Sequence, residues 1–382
     1  MKNPNLRSSL VMLGLLAVVL ALSVTFWIGC SDRGNLSTEP VAQQPGVQLT
    51  VENPAIKQIM AVQDRHTSDL MKDPNVVGVG TTLTDDGRLA ILVFLNESTV
   101  RDAKGRSVSA ASTIPTVLEG VPVITEVSGP FRAMSAPPPK SNPTAVSHTA
   151  KQTPPIQLGT SGGWRYDIAN GYCCSGTLGS LITFGGVQYI LSNYHVFWGD
   201  GGKLGDTVIQ PGLVDVSCNP AGAQNVAHLS GTGSLPAANV DVGYAQVISG
   251  MVSTTGSILE IGTISNTTVA ASVKQAVKKS GRTTGLSRST IKALNLTVSV
   301  AYESSCAGKT AFTKTFTGQI DITNTRETFL NSGDSGSLMV EDVTTNPRAV
   351  GLLYAGSSTD AVANPIGAVL SWVGNGATMV GQ

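Results

Sequence analysis

A mostly β fold preceded by a small α+β domain is what the sequence predicts, and three observations predict it. From Gly162 onward, short runs rich in Val, Ile, Leu and Thr alternate with Gly-rich turns, the pattern of a β-sandwich or barrel. Charged residues make up 13% of the 382 positions, against about 25% in ordinary soluble domains, and glycine occurs 42 times. Long helical periodicity is scarce. Lys+Arg and Asp+Glu both number 25, so the formal net charge is zero. That argues against nucleic acid or an acidic surface as the main partner, because each requires a basic patch.

Residues 1–30 read as an export signal. Lys2 and Arg7 precede an apolar run from Leu10 to Gly29. Ile28-Gly29-Cys30 resembles a lipobox, in which Cys30 is lipidated and becomes the new N-terminus, although Trp27 stands where Leu is usual. An uncleaved anchor or a plain signal peptide is the alternative, since the run is long enough to span a bilayer. Membrane contact is expected only through this end, in a cell-envelope lipoprotein or a secreted protein. Residues 31–52, with Pro40 and Pro45, form a polar tether.

Residues 53–132 form the small α+β domain. Asn53 caps a helix whose first turn holds Pro54, and Asp73-Pro74 ends it. His66 is expected to pack on that helix. Val76 to Leu83 and Leu89 to Leu95 make a hairpin around Asp85-Asp86-Gly87, and Val117 to Val127 supplies another strand. Residues 133–158 are a Pro-rich linker in which His148 is expected to be solvated. The linker invites an inhibitory pro-region, a folding aid or a second binding module as the role of the domain before it.

Beyond Cys30 the chain holds Cys173, Cys174, Cys218 and Cys306. An even count in an exported chain points to two disulfides. Adjacent cysteines seldom bond to each other, so Cys173 and Cys174 each take a distant partner, and two connectivities stay open. No His or CxxC spacing accompanies them, and no metal or other cofactor is expected.

The chemistry centres on Asn331-Ser332-Gly333-Asp334-Ser335-Gly336-Ser337. A serine between glycines can turn tightly and receive a carbonyl, with the N–H groups of Gly333 and Ser335 converging on the oxyanion. Alone, such a cluster is an ordinary turn. Its weight comes from His195, which follows Tyr189-Ile190-Leu191-Ser192-Asn193-Tyr194, and from Asp241 in Ala238-Asn239-Val240-Asp241-Val242. The hairpin of Leu178 to Thr183 and Val187 to Leu191, turned by Gly185-Gly186, delivers His195 at its exit. His228 lacks an aspartate at a suitable distance. The order His, Asp, Ser excludes the subtilisin and α/β-hydrolase plans. The gaps of 46 and 94 residues lie beside the template's about 45 and about 93.

At these residues the chain resembles the trypsin/chymotrypsin-like serine peptidases over about 160–382. Gly281-Arg282-Thr283-Thr284-Gly285 is similar to a segment of secreted bacterial members such as α-lytic protease. The whole chain is similar to the bacterial Nal1-like group, with its Ser-Asn-x-His-Val and Gly-Asp-Ser-Gly-Ser segments. The resemblance implies a two-barrel chymotrypsin-like fold, with barrels over about 159–255 and 265–382, and a triad of His195, Asp241 and Ser335. It implies that Arg282 neutralises Asp334 as a fixed ion pair, that Phe329 lies at the pocket floor, and that Tyr354, Ala355 and Gly356 pair with extended substrate. Strands are expected at Ile291–Tyr302, Phe312–Ile322, Leu338–Val340 and Val350–Ala355, with a closing helix at Ile366–Val373. The implied function is an exported serine endopeptidase acting on peptide or protein substrates. The alternative is a catalytically idle domain of the same fold that binds peptides or proteins at the cell surface.

Overall fold

Strands dominate the computed structural model, which describes residues 47–102, 104–133, 146–303, 306 and 310–382. Cys30, the signal, most of the tether and residues 134–145 of the linker lie outside the described residues. Among the described residues no helix is long and apolar enough to cross a membrane.

The first elements among the described residues are helix α1 (Pro54–Leu70), then β1 (Val76–Leu83), β2 (Leu89–Leu95), β3 (Thr99–Arg101), β4 (Ser107–Ser109), β5 (Val117–Leu118), β6 (Val121–Val127) and β7 (Phe131–Ala133). Asn53 Oδ1 accepts from the N–H of Ala55, as its capping role requires, and Ile56, Ile59, Val62 and Leu70 are buried. β2 is apolar at every position and buried on both faces, between neighbours β1 and β6. Gln63 of α1 is buried yet satisfied. It donates to the carbonyls of Val79 (3.1 Å) and Asn295 (2.8 Å) and accepts from Thr81 Oγ1 (2.6 Å). His66 does not pack as expected. It meets Glu119 at the surface, 2.9 Å away, beside Arg65.

The first barrel uses β8 (Thr160–Trp164), β9 (Gly176–Leu178), β10 (Ser180–Phe184), β11 (Val187–Ser192), the single-turn helix α2 (Tyr194–Phe197), β12 (Thr207–Gln210), β13 (Gln224–Ser230) and β14 (Gly243–Val247). Pairing runs β10-β11-β14-β13-β12-β8-β9. β9 continues through Gly179 into β10, and the Gly179 N–H donates to Leu191 at 2.9 Å, so the sheet closes on itself. Gly185 and Gly186 both take positive φ (58° and 78°), the turn that matches strand twist.

The second barrel is built from β15 (Ala276–Gly281), β16 (Gly285–Tyr302), β17 (Phe312–Thr323), β18 (Leu338–Glu341), β19 (Ala349–Gly356) and β20 (Asp360–Pro365), closed by the β15–β16 pair. Helix α3 (Ile366–Val373) and β21 (Thr378–Met379) follow, and β21 returns to pair with β10. One apolar cluster joins the first barrel's interior (Leu181, Ile190, Val208, Ala245) to Leu338, Leu352, Ile366 and Val369. β16 spans 18 residues and outruns the barrel. Its far half pairs with β1, Gly78 opposite Val298, so β1, β2, β6 and β5 extend the same sheet. β7 then lies between β16 and β19.

Cys173 bonds Cys218, and Cys174 bonds Cys306 on the second-barrel side. His148 is not solvated as its Pro-rich surroundings suggested. It is 3% exposed, with its ring nitrogens at Gly159 O (2.9 Å) and Glu260 Oε2 (2.6 Å). Its own carbonyl accepts from the Ser161 N–H at 2.8 Å, so the segment is pinned against β8.

Candidate active site

β11 ends at Ser192, and Asn193 leads into α2, which turns His195 inward to complete burial. The ring Nδ1 lies 2.6 Å from Asp241 Oδ2, and the His195 N–H reaches Asp241 Oδ1 at 3.4 Å. A proton on Nδ1 shared with a carboxylate leaves Nε2 as the basic nitrogen. Nε2 is buried and takes no hydrogen bond among the described residues.

Asp241 sits just before β14 rather than within a strand, and its backbone is clamped from both barrels. Asn193 Nδ2 donates to its carbonyl at 2.7 Å, and its N–H donates to Asn364 Oδ1 of β20 at 3.1 Å. A third side chain completes the carboxylate's shell. Tyr302, at the end of β16, donates its hydroxyl to Asp241 Oδ2 at 2.8 Å. Burial first, and then the charge of Asp241, holds that phenol well above its usual range, so it stays a donor. Its ring stacks on Phe312 (4.6 Å between centroids) and stands edge-on to His195 at 6.0 Å.

Sequence reasoning missed Tyr302, Asn193 and Asn364 as site residues. Asn193 was within reach, because it lies two residues before His195. Tyr302 is 61 positions from Asp241, and only the path of β16 brings it there.

Ser335 lies in the tight loop before β18, between Gly333 (φ 95°) and Gly336 (φ 92°). A Cβ on Gly336 would lie 2.2 Å from Ser192 Oγ and 2.4 Å from Thr177 O, so only glycine fits. That contact seats the serine loop against the end of β11, three residues before His195. The Ser335 carbonyl accepts from the Thr177 N–H (2.9 Å), and its Oγ donates to Tyr354 O (3.2 Å). A row of rings runs from Tyr354 through Phe316 to Tyr302 and His195, with centroid spacings of 5.0, 6.4 and 6.0 Å.

The ion pair at the loop differs from the one anticipated. Arg282 does not neutralise Asp334. It grips Asp215 of the first barrel through Nη2 (2.6 Å) and Nε (3.0 Å). Asp334 is instead paired with Lys279 Nζ at 3.1 Å, both side chains fully buried. Strand alternation explains the exchange: residues 279 and 281 share a face of β15, and Arg282 turns to the other side. Gly281 has no side chain because Asp334 Oδ1 and Ser337 Oγ occupy that space, 2.6 and 2.4 Å from where a Cβ would be. Asp334 also accepts from the N–H groups of Thr283 (2.8 Å) and Asn331 (3.0 Å) and from Thr284 Oγ1 (2.8 Å). Burial pushes the Lys279 ammonium below its usual range, opposed by the Asp334 charge.

Phe329 is 1% exposed, its N–H bound by Asn324 Oδ1 and its carbonyl by Ser287 Oγ. Ala355 and Gly356, anticipated as a free edge for substrate, are paired with Ala133 and Arg132 of β7. Asp167, Cys174 and Asp200 cluster within reach of one another, but the Cys174 sulfur is spent in a disulfide. Burial and the neighbouring Asp200 push the Asp167 carboxyl up to about 9.

A family model described as the Nal1 C-terminal domain matches residues 233–364, a span holding Asp241 and Ser335 but not His195. No curated protein matches the chain. Among solved structures, Thermobifida fusca protease A is 20% identical with a TM-score of 0.41, covering 59% of this chain and 99% of its own. A glutamic acid-specific serine protease is 19% identical with a TM-score of 0.40, covering 59% and 100%. An alpha-lytic protease homologue, N4, is 16% identical with a TM-score of 0.38, covering 58% and 98%.

Proposed function

We propose that the chain is an exported serine endopeptidase, and the observation that carries this is the buried His195–Asp241 hydrogen bond, with the glycine-flanked Ser335 loop seated against the end of β11 that leads to His195. Ser335 Oγ attacks the peptide carbonyl while His195 Nε2 takes its proton and then delivers it to the leaving amine. Asp241 fixes the tautomer and stabilises the imidazolium, and Tyr302 holds the carboxylate. The N–H groups of Gly333 and Ser335 receive the oxyanion. Two disulfides suit an oxidising compartment, in keeping with a signal segment and lipidation at Cys30. Phe329 is not acidic, so an apolar or small side chain, rather than Lys or Arg, fits the position before the scissile bond.

The experiment is cleavage of a denatured peptide library by the full chain and by Ser335→Ala. Products that require Ser335 support a peptidase. A library left intact by both, with peptides bound equally well, supports the idle binding domain.

Tyr302→Phe keeps the stacked ring and deletes one hydrogen bond to a charged group, worth about 1.5–3 kcal/mol. The expected result is a fall in kcat of about tenfold or more, with KM little changed. A fall in kcat matched by an equal loss of stability in denaturant unfolding would mean that Tyr302 only supports packing.

A further inference from the structure

The C-terminal end of β19 touches two things at once. The carbonyl of Tyr354 accepts from Ser335 Oγ, and the next two residues, Ala355 and Gly356, are paired antiparallel with Ala133 and Arg132. β18 covers the same edge of β19 as far as Leu352, opposite Leu338. Past the serine loop β18 has not yet begun, and β7 takes over the edge. The antiparallel register makes β7 run from Gly356 toward Tyr354, which is toward Ser335. That is the polarity of a peptide whose acyl side is offered to the nucleophile, bound by strand addition.

β7 is anchored on its other side as well. Phe131 pairs in parallel with Val300 and Arg132 with Ala301 of β16. The Phe131 ring is 1% exposed and stands edge-on to Phe94 of β2, 5.4 Å away. Arg132 points outward and forms an ion pair with Glu303, just beyond Tyr302. An extended strand supplied by the N-terminal elements therefore fills the place beside the nucleophile where a substrate strand would lie.

We propose that β7 is a built-in occupant of the peptide-binding edge, so that the folded chain blocks its own site in cis. The partner this edge fits is an extended peptide with a basic residue opposite Gly356, near Glu303, and a small residue opposite Ala355. The inference rests on the peptidase reading for its consequence in turnover, but the occupancy can be measured without turnover.

The test compares the full chain with Arg132→Pro, which removes a strand N–H from an exposed position and leaves the buried Phe131 in place. A small fluorophosphonate needs Ser335 and its base His195 but no strand edge, and should label both proteins at the same rate. Peptide hydrolysis should rise about tenfold or more in Arg132→Pro, because an edge that is mostly occupied lowers apparent affinity by the free fraction. Equal peptide hydrolysis in two equally labelled proteins would overturn the proposal.

If neither protein labels, the peptidase reading fails, and binding still decides the occupancy. Fluorescein-labelled acetyl-Phe-Arg-Ala-amide should bind Arg132→Pro in a Ser335→Ala background about tenfold or more tightly than it binds Ser335→Ala alone. Equal binding would overturn the proposal. Should Arg132→Pro fail to fold, Arg132→Glu keeps the backbone donor and reverses the pair with Glu303. Its expected release is smaller, about two- to fivefold in the same binding assay, as an exposed ion pair allows. No change there would count against the proposal.

Discussion

Replacing Asp241 with Asn is expected to lower kcat by about 10⁴-fold while KM stays within a few-fold, in steady-state hydrolysis of any peptide the wild type cleaves. The geometry gives the reason. Asp241 Oδ2 accepts from both His195 Nδ1 and Tyr302 Oη, and Oδ1 faces the His195 N–H. An asparagine can keep its carbonyl toward the first two donors only by turning its amide NH₂ toward that backbone N–H. In the opposite orientation the NH₂ meets two donors and drives the imidazole to the wrong tautomer. In either orientation the negative charge that stabilises a buried imidazolium is gone. Asn193 and Asn364 hold the backbone of residue 241 independently of its side chain, so the substitution should leave the fold intact. A fall in Tm as large as that of a core truncation would show that the clamp alone does not hold the loop.

The second large effect is on stability. Lys279→Met should destabilise the chain by about 3–5 kcal/mol in denaturant unfolding, because it leaves Asp334 without its cation in a fully buried site. The backbone N–H groups of Thr283 and Asn331 and the hydroxyl of Thr284 still point at that carboxylate, which favours the lower end of the range. Pairing the change with Asp334→Asn should recover most of the loss, since a neutral amide does not need the cation. If the double variant were as unstable as the single, Lys279 would be acting through packing rather than charge.

The contrast between Lys279 and Arg282 shows where sequence reading succeeds and where it stops. The serine loop, the histidine and the aspartate were legible because each carries a local signature: flanking glycines, the exit of an apolar hairpin, and a polar gap between strand formers. The hairpins of β1 with β2 and β10 with β11, the strand cores of the second barrel and the helix α3 were legible from periodicity and turn residues. Which cation meets Asp334 was not, because it depends on which side of β15 each residue faces and where the strand ends. Tyr302 was hidden for a related reason. It closes an 18-residue strand, and only the length of β16 carries its hydroxyl to Asp241.

The Pro-rich stretch of residues 133–158 suggests a separator between the N-terminal elements and the rest of the chain. Those elements instead share a sheet with the second barrel: β1 pairs with β16 on one edge and β2 on the other, and Leu92 and Phe94 of β2 join the buried cluster of Val298 and Phe316. His148 departs from what its neighbours in sequence suggest. Its environment comes from Glu260 and Gly159, which no local composition could announce.

The central proposal is that one hydroxyl, that of Ser335, is the nucleophile and is served by the buried His195–Asp241 pair. Mass mapping of the adduct after treatment with a fluorophosphonate tests it most directly. A single phosphonylated residue at Ser335, formed slowly in His195→Ala and not at all in Ser335→Ala, is the predicted result. Adducts scattered over surface serines, or a Ser335 adduct that forms as fast without His195, would contradict it.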